Sequence, residues 1–361
     1  MSRRLPVFTA VTALAAVLGA VAPAATQAAD SIKITFISGY PPASPWVGAF
    51  NDQFIKDVDA ALARTGKVRI DWNLAHSGQV VKARGELEGV QSGLGEMTVV
   101  PLGFHADKLP LYILPFVTPF TTQDPVVVAE NFVAQQTKFD AFPKTWDSLG
   151  HFQLGVSTNI DNYVIVSKTP IKSVADLKGK KIGGAGPNLL WVTSVGATGV
   201  QSTLPDFYNA MSTGIVDGVI AWPHAMGAFK LCEPGPNMFD AGFGSAGMLA
   251  LNINKDVWKN LPEEVRAAMT AAAPAWNQLQ LKRLVDGATE MTAKCQSEFK
   301  TVVHTLPAAD RAAWVKAMPP LALDWAKQND AKGVPATAVL TSYMDFMRAK
   351  KQPVPRNWDK E

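Results

Sequence analysis

The chain has 361 residues, 47% of them hydrophobic and 18% charged, with a formal net charge of +3. That balance excludes the polar, charge-rich profile of a disordered chain, and a compact fold of this length buries roughly 75% of its unfolded surface in about two domains. No nucleic acid is expected as a partner, because no Lys/Arg run supplies the basic patch that phosphate neutralisation needs.

Residues 1–28 read as a secretory signal peptide: Arg3 and Arg4, an apolar stretch from Val7 to Val21, then Thr26-Gln27-Ala28 at the cut. The competing reading is an uncleaved membrane anchor, but Pro23 and Thr26 shorten the apolar run below the ~20 residues a spanning helix needs. Beyond Asp30 no stretch is apolar enough to cross a bilayer, so the mature protein is expected to be exported and not itself membrane-spanning. An oxidising compartment lets Cys232 and Cys295 form a disulfide; two separate buried thiols are the alternative.

Residues 32–37 are strand-like. Ser44 then stands as a predicted N-cap before Pro45, and Val47, Phe50, Phe54, Val58 and Ala61 recur at helical spacing until Gly66. Residues 68–73 alternate as a strand, 82–91 read as a helix and 97–100 as an apolar strand. This alternation predicts a mostly parallel sheet wrapped by helices. After a Pro-rich loop, 126–142 read as a helix and 152–167 as one long extended segment. Further on, 181–182 form a short strand, then come a helix to about 195, a short helix at 206–211, a strand at 216–220, a helix at 223–231 and a strand at 248–253. Residues 262–301 form one long helical stretch, giving two α/β units that share a helix.

A catalytic set is not evident, and no enzyme activity, metal or cofactor is expected. The histidines His76, His105, His151, His224 and His304 are scattered, with no pair at ligand spacing. Gly242-Phe243-Gly244-Ser245-Ala246-Gly247 matches the dinucleotide pattern by letter, but a strand comes after it where a helix should begin, so it reads as a flexible loop entering that strand. The turn from Gly183 to Asn188 has two readings: a helix start whose free N–H groups hold one anion, or an ordinary tight turn. Tyr40, Trp46, Trp72, Phe104, Tyr163, Trp191 and Trp222 fall at strand ends and loop tips. Each alone suits a core, yet ligands in open α/β sheets bind beyond the carboxyl ends of strands.

At Pro170-Ile171-Lys172-Ser173-Val174-Ala175-Asp176-Leu177-Lys178-Gly179-Lys180-Lys181-Ile182 the chain resembles the solute-binding proteins of tripartite ATP-independent periplasmic (TRAP) transporters, the DctP-like family. The resemblance continues through Leu204-Pro205-Asp206-Phe207-Tyr208, Gly214-Ile215-Val216-Asp217-Gly218 and Asn254-Lys255-Asp256-Val257-Trp258, with Gly78-Gln79 and Leu114-Pro115-Phe116 upstream. It implies a type II-like periplasmic binding protein: two α/β domains around a central cleft, with a long helix across both. We assign 29–157 plus 248–290 to domain I and 158–247 plus 291–361 to domain II. The implied partners are a small organic acid and the membrane permease subunits that receive it. A periplasmic sensor of the same fold, a binding protein of an ATP-driven importer and a secreted enzyme are the rival readings.

The family's usual carboxylate-binding arginine comes directly after the Leu-Lys-Gly-x-Lys-Ile run, where this chain has Gly183. A second family arginine is replaced at Asn162 or a neighbour. The expected substitute cation is Arg84, helped by the turn at Gly183 and Asn188, with hydrogen bonds from Asn159, Asn162 and His76. Trp191, Trp222, Phe104 and Tyr40 would flank an apolar or aromatic body. This set favours a monocarboxylate over succinate-like acids.

Overall fold

The computed structural model describes Met1 and residues 29–360, so the leader reading, Met1 apart, lies outside the described residues. Among the described residues the strands form two sheets. In the first, β1 (Asp30–Ile37) pairs in parallel with β2 (Val68–Ala75) and β3 (Met97–Pro101). A strand from much later in the chain, β10 (Met248–Asn254), lies antiparallel between β3 and β4 (His151–Thr158). The second sheet has the order β11-β9-β5-β8-β6-β7. Its strands are β5 (Val164–Ser167), β6 (Lys181–Gly184), β7 (Thr198–Gln201), β8 (Gly218–Ala221), β9 (Asn237–Asp240) and β11 (Val302–Thr305). Here β6 runs parallel to β7 and β8, whereas β5 runs antiparallel to both of its neighbours.

Several elements depart from the sequence reading for local reasons. Ser44 stands at the helix start with extended dihedrals, but its side chain makes no capping bond; only its carbonyl serves the first turn. The helix 45–63 contains a π-helical turn, Phe50–Phe54. The helix expected from residue 82 is confined to Glu86–Gln91, because Arg84 adopts φ +81° and ends any helical path before it. Residues 152–167 are not one extended segment. They are β4 and β5, strands of different sheets, joined by a crossover at 159–163. The helix expected over 126–142 is Pro125–Lys138, capped by Asp124, whose carboxylate accepts from the N–H groups of Val126 (2.9 Å) and Val127 (3.3 Å).

The long helix Glu263–Phe299 has 37 residues, about 55 Å at 1.5 Å per residue. Its first half packs on the first sheet: Trp276 Nε1 donates to the Trp46 carbonyl (3.0 Å) and Gln280 Nε2 to Ser157 Oγ (2.5 Å). Its second half packs on the second unit, where Gly287 meets His224 and Met291 meets Gly227. Cys295 on this helix is disulfide-bonded to Cys232, their Cα atoms 5.7 Å apart. The last helices turn back: Trp325 Nε1 donates to the Pro110 carbonyl (3.2 Å), and Asn131 Nδ2 to the Tyr343 carbonyl (3.1 Å). The C-terminal segment therefore touches both units, through β11 in the second sheet and through these helices against 110–138.

The two sheets are joined by two chain crossings bonded to each other. The first is 159–163 and the second, 241–247, contains the glycine-rich run. Ser245 Oγ donates to the Ile160 carbonyl (2.5 Å), Tyr163 N–H to the Gly244 carbonyl (3.0 Å) and Asn159 N–H to the Gly247 carbonyl (3.3 Å). The run enters β10 as expected, but it is buried throughout and pinned by these bonds rather than flexible. Gly244 has φ +99°, and a Cβ there would stand 2.4 Å from the Thr122 carbonyl oxygen. Gly244→Ala is expected to lose about 2–4 kcal/mol, from left-handed strain plus a backbone clash. Thermal denaturation reads it directly, and an unchanged melting temperature would mean that the crossing can move aside.

Candidate ligand-binding site

Between the sheets lies a small cavity. Residues just past the carboxyl ends of the parallel strands wall it: Tyr40 after β1, Phe104 after β3, Ala185 after β6 and Trp222 after β8. Asn159 and Tyr163 from the first crossing, and Gly247 and Met248 at the start of β10, close the hinge side. Trp46, Phe116 and Phe207 add further rings. Among the described residues no Asp, Glu, Lys, Arg or His lines this cavity.

The wall is built of rings that pack on one another. Tyr40 meets Trp46 edge-on with centroids 5.3 Å apart, and Tyr163 meets Trp222 edge-on at 6.0 Å. Burial first, then the Glu86 carboxylate, holds the Tyr40 phenol well above its ordinary value, and burial does the same to Tyr163. Both stay neutral. The indole N–H groups of Trp46 and Trp222 are buried without a hydrogen-bond partner among the described residues. A buried unpaired donor costs about 1–3 kcal/mol, so each favours a ligand that brings an acceptor.

Of the residues expected at the site, the structure gathers Tyr40, Phe104, Asn159 and Trp222 in this wall. Arg84 is half-buried beside it, its Cζ 4.6 Å above the Phe104 ring, close enough to act electrostatically on Tyr40. Gly183 lies on β6, where a Cβ would stand 3.1 Å from Val219 Cγ1, so this position is packed among core methyl groups. Asn188 is buried, and its Oδ1 accepts from the Ala185 N–H (3.2 Å), which fixes the turn behind Ala185. His76, Asn162 and Trp191, like Arg84, Gly183 and Asn188, are not lining residues, and each of these three has partners elsewhere. His76 pairs with Asn51 Nδ2 (3.2 Å) and meets Phe36 edge-on, and burial pushes its pKa down. Asn162 spends both ends of its amide on the second crossing, donating to Asp240 Oδ1 and accepting from the Gly244 N–H, each at 3.1 Å. Trp191 donates to the Phe116 carbonyl (2.8 Å) inside an aromatic cluster with Phe116, Tyr163 and Phe243.

Trp46, Tyr163 and Phe116 line the cavity but were not among the expected site residues. The first two carried a signal, as strand-end aromatics; Phe116 carried one only as part of the Leu-Pro-Phe step.

Behind Tyr40 sits Glu86. Its Oε1 accepts from the Gly39 N–H (2.9 Å) and its Oε2 has no hydrogen-bond partner among the described residues; burial pushes its pKa up to about 7. The folded chain keeps this proton at pH values where the unfolded chain has lost it. Its contribution therefore falls as pH rises from near 4.5 through about 7. His151, held down to about 4 by burial, acts in the opposite direction on the acid side, so variant and parent must be compared pairwise. Glu86→Gln, which keeps the acceptor for Gly39, is expected to raise the melting temperature at about pH 8 and barely change it at about pH 5. An equal difference at both values would mean that the carboxyl is ionised throughout.

Two α/β units joined by paired crossings and a shared helix, with an aromatic cavity between them, define a solute-binding protein. Residues 38–329 match the model for bacterial extracellular solute-binding protein, family 7. The chain belongs to that family, the DctP family of TRAP solute-binding proteins. The C4-dicarboxylate-binding periplasmic protein DctP of Rhodobacter capsulatus is 24% identical over 293 residues, covering 76% of this chain and 81% of its own. A TRAP periplasmic solute-binding protein from Bordetella bronchiseptica, with bound (R)- and (S)-mandelate, superposes with a TM-score of 0.75 at 19% identity, covering 88% of this chain and 99% of its own. A TRAP solute-binding protein from Rhodoferax ferrireducens in complex with copurified benzoate gives 0.76 at 18%, covering 89% and 98%. The ectoine-binding protein of the TeaABC transporter of Halomonas elongata gives 0.75 at 19%, covering 88% and 100%. The fold is thus the two-domain, type II-like one. TRAP solute-binding proteins are transport proteins that work with membrane permeases, and no helix among the described residues is long and apolar enough to cross a membrane.

Proposed function

We propose that this protein captures a monocarboxylate with an apolar or aromatic body in the periplasm and delivers it intact to a TRAP permease. The observation that carries the reading is the cavity wall, uncharged and built largely of aromatic rings. A second carboxylate buried there would lack a cation, at several kcal/mol. One carboxylate would draw on Arg84, whose guanidinium lies over the ring of the lining residue Phe104, with the Trp46 and Trp222 N–H groups as further donors. The rings then cover the ligand body, each buried aromatic face adding apolar contact. The bound mandelate and benzoate of two structural neighbours are acids of this kind. The disulfide agrees with an oxidising compartment.

Isothermal titration tests the reading. Benzoate, mandelate and branched monocarboxylates are expected to bind, and succinate and malate to give no heat beyond dilution. Tight succinate or malate binding with no response to the monocarboxylates would overturn it.

A further inference from the structure

Gln201 ends β7, level with Gly184 on β6. With its amide oxygen turned to face the donors around it, Oε1 accepts from Arg84 Nη2 (2.5 Å) and from the Gly186 N–H (3.1 Å). Arg84 belongs to the unit of the first sheet, Gln201 and Gly186 to that of the second. One oxygen therefore spans the cleft.

The same seam carries a second crossing contact. Gly186 has φ +76°, and a Cβ there would stand 2.7 Å from the Gly103 carbonyl oxygen. The turn after β6 and the loop after β3 meet here backbone to backbone, in a conformation and at a distance that only glycine suits. Phe104, the next residue, carries the Arg84 guanidinium over its ring. Bond, stack and close approach converge on one point at the edge of the cavity.

We propose that Gln201 is the positioning residue that couples Arg84 to closure of the cleft. The bond to Arg84 forms only when the two loops are seated on each other, and seating them fixes the guanidinium beside the cavity rings. Gln201 thereby biases the equilibrium between open and closed cleft toward the closed form, and measured affinity scales with the fraction of molecules that can close. This rests on the reading of Arg84 as the carboxylate anchor.

The test uses protein purified from the periplasm, small-angle scattering for closure and benzoate as the titrated probe. Gln201→Leu keeps a side chain of comparable bulk but not its acceptor. It is expected to enlarge the radius of gyration without ligand and to weaken benzoate about tenfold. Gln201→Glu keeps an acceptor for both donors. It should scatter like the parent yet bind benzoate less tightly, because its charge opposes the ligand carboxylate. A purely structural role would not separate closure from affinity in this way. A leucine variant that matches the parent in both scattering and affinity overturns the inference. If the parent binds no monocarboxylate, the ligand reading fails, and the scattering comparison still decides the coupling. If Gln201→Leu does not fold, Gly186→Ala takes its place: its Cβ holds the loops apart, and unchanged scattering again overturns the proposal.

Discussion

Replacing Arg84 with alanine is expected to weaken monocarboxylate binding about a hundredfold or more, the scale for truncating one partner of a desolvated charged pair. The melting temperature without ligand should shift by no more than about 2 °C, as for surface substitutions away from the core. Half-buried and stacked on Phe104, the guanidinium fills no core space. Its backbone sits at φ +81°, a strained choice for a residue with a side chain, and such strain persists where function holds it. Arg84→Gly removes the same guanidinium while relieving that strain, by about 1 kcal/mol. It should therefore bind as poorly as the alanine variant and melt higher. Loss of folding in both would make Arg84 structural; unaltered binding in both would place the anion site elsewhere.

Removing the Cys232–Cys295 bridge is the second large effect. The bridge spans a sequence separation of 63, and closing a loop of that size stabilises by about 4 kcal/mol in the chain-entropy account. The double variant Cys232→Ala, Cys295→Ala should melt on the order of 10 °C lower. A reductant should lower the parent by a similar amount and leave the variant untouched. A parent indifferent to reductant, with its thiols shown to be free, would sink this expectation. The bridge fastens the distal half of the long helix to the turn that follows the helix Pro223–Ala228, beside the contacts of Gly287 with His224 and Met291 with Gly227. Its loss should loosen that half first.

The alternating strands and helices up to residue 100 were legible because β1 and β3 bury apolar runs and Gly66 closes the first helix in a left-handed conformation. The crossing at 159–163 was not. β4 and β5 are both strand-forming, and nothing local in Asn159 to Tyr163 states that the chain changes sheets there. β7 and β11 were missed because each is four residues long with exposed ends.

At the site, Tyr40, Phe104 and Trp222 were legible as aromatics at strand ends, since the cavity forms where those ends meet. His76 stands just past a strand too, but β2 is the outer strand of its sheet, and strand order is a long-range property. Asn162 lies three residues from Asn159, yet its amide is consumed by Asp240 and the Gly244 N–H, which are distant in sequence. Trp191 differs from Trp222 in one respect that sequence does not encode: a carbonyl, that of Phe116, stands opposite its N–H.

β10 lies between β3 and β4, although every strand of the second sheet except β11 precedes it in the chain. A polypeptide emerging amino end first therefore holds β1 to β4 with a slot that nothing can fill until residues 248–254 arrive. Pairing across such sequence distances is slow, because loop closure must precede any gain from contact. Premature compaction of the leading half around a complete sheet is thereby discouraged.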